Sequence, residues 1–299
     1  MTSFLFSDSP VRRLYDWHLQ CLEHLVTLFL FTKSDFKTLL LPVICFAIAA
    51  SPHVDLSRVC LSILWTWLHL LQFTVSNQTL DVDEDAANKA YRPLPSGRIS
   101  LMNARLLRWL LVPSCLTVSS YFDFTTTLAS IAVIVSTLLH NELGLHARSW
   151  VIRNLLNGLG LASYELGATA VIAGSNHHLD DIALRGIVLS ATVFMTTIHA
   201  QDFEDIEGDL KVGRRTLPIV YPRVARYSMT IGLFVWSLMV SSVWNLDLFA
   251  SGMLTISSVF IGLRYIYFRD VESDKASYIW YNLWLSVTNL LPAYYRYIV

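Results

Sequence analysis

Long apolar runs separated by short polar breaks recur along almost the whole chain, at about 36–51, 57–81, 100–121, 124–144, 153–174, 183–203, 222–243, 247–268 and 276–298. Most approach the ~20 residues that a helix needs to cross ~30 Å of hydrocarbon. The pattern predicts an all-α membrane protein, a bundle of nine transmembrane helices. Only 15% of the 299 residues are charged, against about 25% in a soluble domain, and mean hydropathy is +0.48. A water-soluble enzyme is excluded. With 22 Lys and Arg against 23 Asp and Glu, no basic excess exists to collect nucleic acid.

Residues 14–32 carry Leu14, Trp17, Leu22, Leu25 and Leu28 on one side, together with Arg13, Asp16, Glu23 and His24. This amphipathic segment is expected to lie in the membrane interface. No linker or low-complexity tract interrupts the chain, so residues 1–299 read as one domain: an interfacial segment over 1–35 and a bundle over 36–298. With nine crossings, Arg58, Arg185 and Arg296 fall on one membrane face and the other 19 of 22 basic residues on the opposite one. The positive-inside rule makes the basic face cytoplasmic, together with the N-terminus and the polar loops at about 82–99 and 204–221. An endoplasmic-reticulum membrane is the expected location. The four cysteines are far apart and lack metal-ligand spacing, so they read as small apolar fillers.

Two acidic constellations end spans on that face. Asn77, Asp81 and Asp85 recur at i, i+4 and i+8, which stacks three oxygen donors along one helical face. Asp202, Asp205 and Asp209 recur at i, i+3 and i+7. Like charges at helical spacing repel, and carboxylates beside hydrocarbon are costly enough to mark function. Mg²⁺ is held by a few carboxylates together with water and substrate phosphate oxygens, so two such clusters suit a Mg²⁺-bridged diphosphate. Lys89 and Arg92 after the first cluster, and Lys211 and Arg215 after the second, are the expected diphosphate donors. Arg98, Arg214 and Arg223 accompany them, with Arg98 and Arg223 equally explained by topology.

The run Asn77-x-x-x-Asp81-x-x-x-Asp85, followed by Asn88-Lys89-Ala-Tyr-Arg92-Pro93-Leu-Pro95-Ser-Gly97-Arg98, resembles the first motif of the UbiA-type intramembrane prenyltransferase superfamily. Asp202-Phe-Glu-Asp205-Ile-Glu-Gly208-Asp209, running on to Gly213-Arg-Arg-Thr216-Leu-Pro218, resembles its second. Ala90 departs from the proline common at that loop position. The resemblance implies nine helices around a central cavity, with Mg²⁺ ions and an isoprenyl diphosphate under a polar cap. The stretches His140-Asn141-Glu142-Leu-Gly144, Arg153-Asn154-Leu-Leu-Asn157 and Tyr164-Glu165-Leu-Gly167-Ala-Thr169 are similar to those of a fungal membrane-bound terpene cyclase branch.

A terpene cyclase ionises an allylic diphosphate and then confines the carbocation away from water. Catalysis is thus expected from Asp81, Asp85, Asp202 and Asp209. Phe73 lies one turn below Asn77 and is the first choice among the aromatics for steadying the cation. Asn157 and Tyr164, seven residues apart, are expected on the same cavity face. His199, one turn before Asp202, is a candidate for the terminating base, as is the released diphosphate. The expected substrate is a prenyl diphosphate, farnesyl diphosphate favoured, the product a sesquiterpene, and the surroundings a lipid bilayer without an obligate protein partner. The alternative is a prenyltransferase that alkylates an aromatic acceptor. A cation carrier is disfavoured, because its carboxylates would sit near the bilayer midplane.

Overall fold

The computed structural model describes residues 10–299 except 81, 83, 84, 87, 88, 175–177 and 212, with side chains from residue 16 onward. Among the described residues the structure is helical and contains no strand. Helix α1 (Pro10–Thr32) leads through a tight turn to a π turn over Phe36–Leu40 and helix α2 (Leu41–Ala50). Helices α3 (Leu56–Leu80), α4 (Leu101–Ser120) and α5 (Phe124–Thr137) follow, α5 ending in a second π turn over Leu138–Glu142. The short α6 (Leu145–Arg148) precedes α7 (Trp150–Ala173) and α8 (Asp181–Thr197), and α8 tightens into 3-10 geometry over Ile198–Phe203. Two short helices, α9 (Ile206–Lys211) and α10 (Leu217–Val220), lead to α11 (Pro222–Val243), α12 (Leu248–Tyr267) and α13 (Val271–Tyr297).

Ser or Asp side chains start six of these helices by accepting a hydrogen bond from an otherwise unpaired first-turn amide. Asp123 accepts from Thr126 at 2.6 Å, Asp180 from Ala183 at 3.0 Å and Asp247 from Ala250 at 2.9 Å. Asp270 likewise accepts from Ser273 at 2.9 Å. This cap starts α13 at Val271, ahead of the residue 276 at which the apolar run begins.

Among the described residues, six helical stretches are long and apolar enough to cross a membrane: Leu56–Leu80, Phe124–Glu142, Trp150–Ala173, Asp181–Phe203, Pro222–Val243 and Leu248–Tyr267. The other three expected spans are also helical but differ in character. Phe36–Ala50 is short, α4 carries Arg105 and Arg108, and α13 carries Glu272, Asp274, Lys275 and Arg296. Helix α1 buries Phe31 against Leu71, Val75 and Leu111 while Trp17, Leu22 and Leu25 are exposed.

Helix α3 is the hub of the first half. Trp65 donates through Nε1 to Ser119 Oγ on α4 at 2.8 Å, and His69 Nε2 meets Ser130 Oγ on α5 at 2.7 Å. Hydrogen bonds of this kind join helices where apolar burial discriminates little between partners. The Trp65 ring also fills the space over Gly167 on α7, where a Cβ would lie 2.1 Å from the indole. In the second half, Arg226 on α11 grips Asp274 on α13 with two bonds of 2.9 and 2.8 Å, and Trp284 donates to Ser237 at 3.0 Å. Arg296 then joins the last helix to the start of α8 and the end of α2, donating to Asp180 at 2.6 Å and to the Ala50 carbonyl at 3.0 Å.

Candidate active site

A cavity of about 300 Å³ lies between the two halves. Its wall receives Phe73 and Asn77 from α3, Asn157, Leu161 and Tyr164 from α7, and Phe194 and Ile198 from α8 and its extension. Residues 73 and 77, and residues 157 and 164, therefore share the faces that helical spacing assigns them. Asp85, Lys89 and Arg92 line one end together with Arg153 and Arg214. The cavity grades from ionic groups to apolar and aromatic ones. Volumes of this size are at the lower end of small-ligand sites, about 300–1,000 Å³.

Three carboxylates at the ionic end are tied to arginines. Asp85 accepts from Arg92 at 2.5 Å, Asp202 from Arg153 at 2.8 Å and Asp209 from Arg214 at 3.1 Å. Asp85, Asp202 and Asp209 are all buried. Partial burial and then the adjacent Asp209 hold the Asp205 carboxyl above its ordinary range, opposed by Lys89, Arg153 and Arg214. The loop after α3 thus delivers a cation to the acidic segment after α8, and the two motifs meet.

Asp81 lies outside the described residues. Among the described residues, no three His, Cys, Asp or Glu side chains converge as a ready metal cage. The oxygens nonetheless suit a hard cation: Asp85 Oδ2 and Asp209 Oδ2 are buried and have no hydrogen-bond partner in the structure. Mg²⁺ needs only a few such carboxylates beside water and phosphate oxygens.

Several sequence expectations change in three dimensions. Asp202, Asp205 and Asp209 do not share one helix, because α8 gives way to 3-10 turns at Ile198 and α9 starts afresh at Ile206. Lys211 and Arg215 are exposed and do not line the cavity, whereas Arg214 between them does. The loop fold turns Arg214 back, its amide donating to the Asp209 carbonyl at 2.9 Å. His199 also points elsewhere: its Nε2 meets Ser228 Oγ on α11 at 3.1 Å and its ring faces Phe203. The two aromatics expected at the cavity, Phe73 and Tyr164, both line it. Trp67 donates to Thr32 at 3.1 Å and Trp236 to Thr196 at 2.8 Å, while Tyr281 meets Thr197 at 2.9 Å.

Arg153, His140, His146, Asp35, Gln201 and Tyr278 line the cavity without having been assigned to it. Arg153 was within reach of pattern reasoning, since it precedes Asn157 by one helical turn and shares its face. Asp35 and Tyr278 come from segments remote in sequence from both motifs and carry no local signal.

Comparison with known proteins agrees with this geometry. Residues 39–286 match the UbiA prenyltransferase family. The chain is 34% identical over 284 residues to fumagillin beta-trans-bergamotene synthase of Aspergillus fumigatus, covering 92% of this chain and 94% of that protein. It is 30% identical to somaliensene A/B synthase of Streptomyces somaliensis, covering 87% and 90%. Its fold matches a UbiA homolog from Archaeoglobus fulgidus solved with GPP and Mg²⁺ at a TM-score of 0.64 and 16% identity, over 89% of this chain and 99% of that one.

Proposed function

Since the chain belongs to the UbiA prenyltransferase family and is a multi-pass membrane protein, we propose that it is a class I terpene cyclase. It ionises a prenyl diphosphate, farnesyl diphosphate in our reading, and cyclises the cation to a sesquiterpene with release of diphosphate. The observation that carries this reading is the single cavity with acidic and cationic groups at one end and Phe73, Tyr164 and aliphatic side chains beyond them. The names of the two synthases it resembles support a cyclase over a transferase.

Lys89, Arg92, Arg153 and Arg214 bind the diphosphate and stabilise the charge that gathers on it as the allylic C–O bond breaks. Asp81, Asp85, Asp202 and Asp209, with Asn77 and Asp205 beside them, are the residues that would hold Mg²⁺. When bound, Mg²⁺ supplies Lewis-acid neutralisation of the leaving diphosphate. Phe73 offers its π face to the developing carbocation. Asn157 orients the prenyl chain, and the apolar wall around Tyr164 excludes the water that would otherwise quench the cation.

In the same reading the chain crosses the endoplasmic-reticulum membrane nine times, with α1 in the interface and the N-terminus and motif loops cytoplasmic. The 19-to-3 division of basic residues supports that orientation. Tags at the N-terminus and in the loops at 86–98 and 210–221 should then be cytoplasmic, and a C-terminal tag lumenal. Both termini on one side would overturn the nine-crossing topology.

Incubating detergent-purified protein with Mg²⁺ and farnesyl diphosphate alone, then analysing volatiles, tests the activity. A cyclic hydrocarbon formed without an acceptor is the expected result. Turnover that strictly requires an aromatic co-substrate would make the protein an acceptor prenyltransferase instead.

A further inference from the structure

At the end of α5 the helix widens into the π turn Leu138–Glu142, a distortion that often accompanies functional sites. The turn carries His140 on the cavity wall, and Gly144, at φ 58°, then reverses the chain in the left-handed region. The reversal stacks His146 on His140, with ring centroids 4.5 Å apart and an interplanar angle of 11°. Phe73 meets His140 edge to face at 5.7 Å. An imidazole therefore lies beside the aromatic ring to which cation stabilisation is assigned above.

A directed hydrogen-bond chain decides which nitrogen of that imidazole carries the proton. Glu142 is a carboxylate ion-paired to Arg108, so it can only accept, and Ser76 spends its one hydrogen on Glu142 Oε1 at 3.1 Å. Ser76 Oγ must then accept from Asn141 Nδ2 at 3.3 Å, and the same amide group donates to the Phe73 carbonyl at 3.3 Å. Both contacts orient the Asn141 amide with Oδ1 as its acceptor. His140 Nδ1, 2.8 Å from that oxygen, must be the donor. Neutral His140 is thereby held as the Nδ1–H tautomer, with its lone pair on Nε2. The chain spans α3, α4 and the π turn, so the packing of these three elements fixes one tautomer.

From this geometry we propose that His140 Nε2 is the general base that terminates the cyclisation, an assignment that rests on the cyclase reading above. A C–H bond adjacent to the cationic carbon breaks, and its electron pair becomes the new C=C π bond. The proton passes to Nε2, and the imidazolium returns it to the released diphosphate, which leaves the cavity protonated. Atoms and charge balance without a further reactant. Asn141, Ser76, Glu142 and Arg108 are positioning residues, since they act only through the imidazole.

The test replaces His140 with groups that keep polarity but are not basic. His140→Asn retains a donor for Asn141 Oδ1, and His140→Gln retains a polar atom near the Nε2 position. Each purified variant is incubated with Mg²⁺ and farnesyl diphosphate, and diphosphate release and product distribution are measured separately. Diphosphate release should fall by less than about fivefold. The share of the wild-type olefin should fall at least tenfold, in favour of alcohols formed by water capture and olefins deprotonated at other carbons. Asn141→Leu leaves the imidazole in place but frees its tautomer, and should move the product ratio in the same direction by a smaller factor. This third variant keeps the proposal testable should a His140 variant not fold. An unchanged product ratio in folded variants, or loss of diphosphate release and product in equal proportion, would overturn the base assignment while leaving the cyclase reading intact. A wild-type protein that makes no olefin without an acceptor would overturn both.

Discussion

The buried carboxylates of the two acidic segments are neutralised by two different routes, one local and one long-range. Asp85 and Asp209 draw their arginines from their own loops, seven and five residues downstream, whereas Asp202 takes Arg153 from α7, 49 residues upstream. The first kind of pair forms with the turn that contains it. The second exists only when α7 and α8 are docked, so it joins the ionic end of the cavity to the assembly of the bundle. Removing a local carboxylate should therefore disturb chemistry more than folding, and removing the long-range arginine should disturb both.

The largest effect is expected from Asp85→Asn and Asp209→Asn. Each should lower Mg²⁺-dependent diphosphate release by a factor on the order of 10²–10³, as the loss of a preorganised electrostatic group does. Size-exclusion profiles in detergent should stay unchanged. Retained turnover in both would remove these residues from the machinery.

Arg153→Gln sharpens the contrast. It leaves Asp202 buried without its ionic partner, and breaking a buried pair costs about 3–5 kcal/mol. A lowered thermal midpoint together with at least tenfold lower activity is expected, whereas Arg214→Gln should lose activity with a smaller thermal change. Equal thermal losses in the two would abolish the distinction between local and long-range pairing. A smaller effect belongs to Lys211→Ala and Arg215→Ala, whose side chains are exposed outside the cavity wall. Diphosphate release should stay within about threefold of wild type for these exposed charges. A loss approaching that of Arg214→Gln would return them to the diphosphate site.

The smallest effect is expected far from both motifs, at the Asp180–Arg296 pair. The hydrogen bond from Arg296 holds the Asp180 carboxyl below its ordinary value of 3.8, partial burial opposing. A lowered folded value stabilises the protein above the unfolded value, and that stabilisation is lost as pH falls through the folded one. Arg296→Gln should thus lower the thermal midpoint slightly at neutral pH, consistent with ~0–1 kcal/mol for a partly exposed pair. The difference from wild type should vanish in strong acid. A difference that persists there would mean that the Arg296 bond to the Ala50 carbonyl, rather than the ion pair, carries the effect.

Helical period and the cost of charge beside hydrocarbon made much of this legible in the sequence. Phe73 with Asn77, and Asn157 with Tyr164, occupy the cavity faces their spacing assigns, because periodicity within one helix is a local property. The acidic motifs likewise stand out in an apolar chain, since uncompensated carboxylates there are expensive. Periodicity failed where the helix changed type. The 3-10 turns over Ile198–Phe203 and the break before α9 separate Asp202 from Asp209, and no residue pattern in the segment announces them.

The sequence by itself determined that this chain is helical and membrane-embedded, where its two acidic motifs stand, and which residues share a helix face. Only the tertiary structure decided that Arg214 rather than its neighbours turns inward, that Arg153 serves Asp202, and that His140 rather than His199 faces the cavity. The physical reason is the range of the forces involved. Helix formation and desolvation act on neighbours in sequence, whereas the partner of a buried charge and the tautomer of an imidazole are set by whichever helices pack beside them.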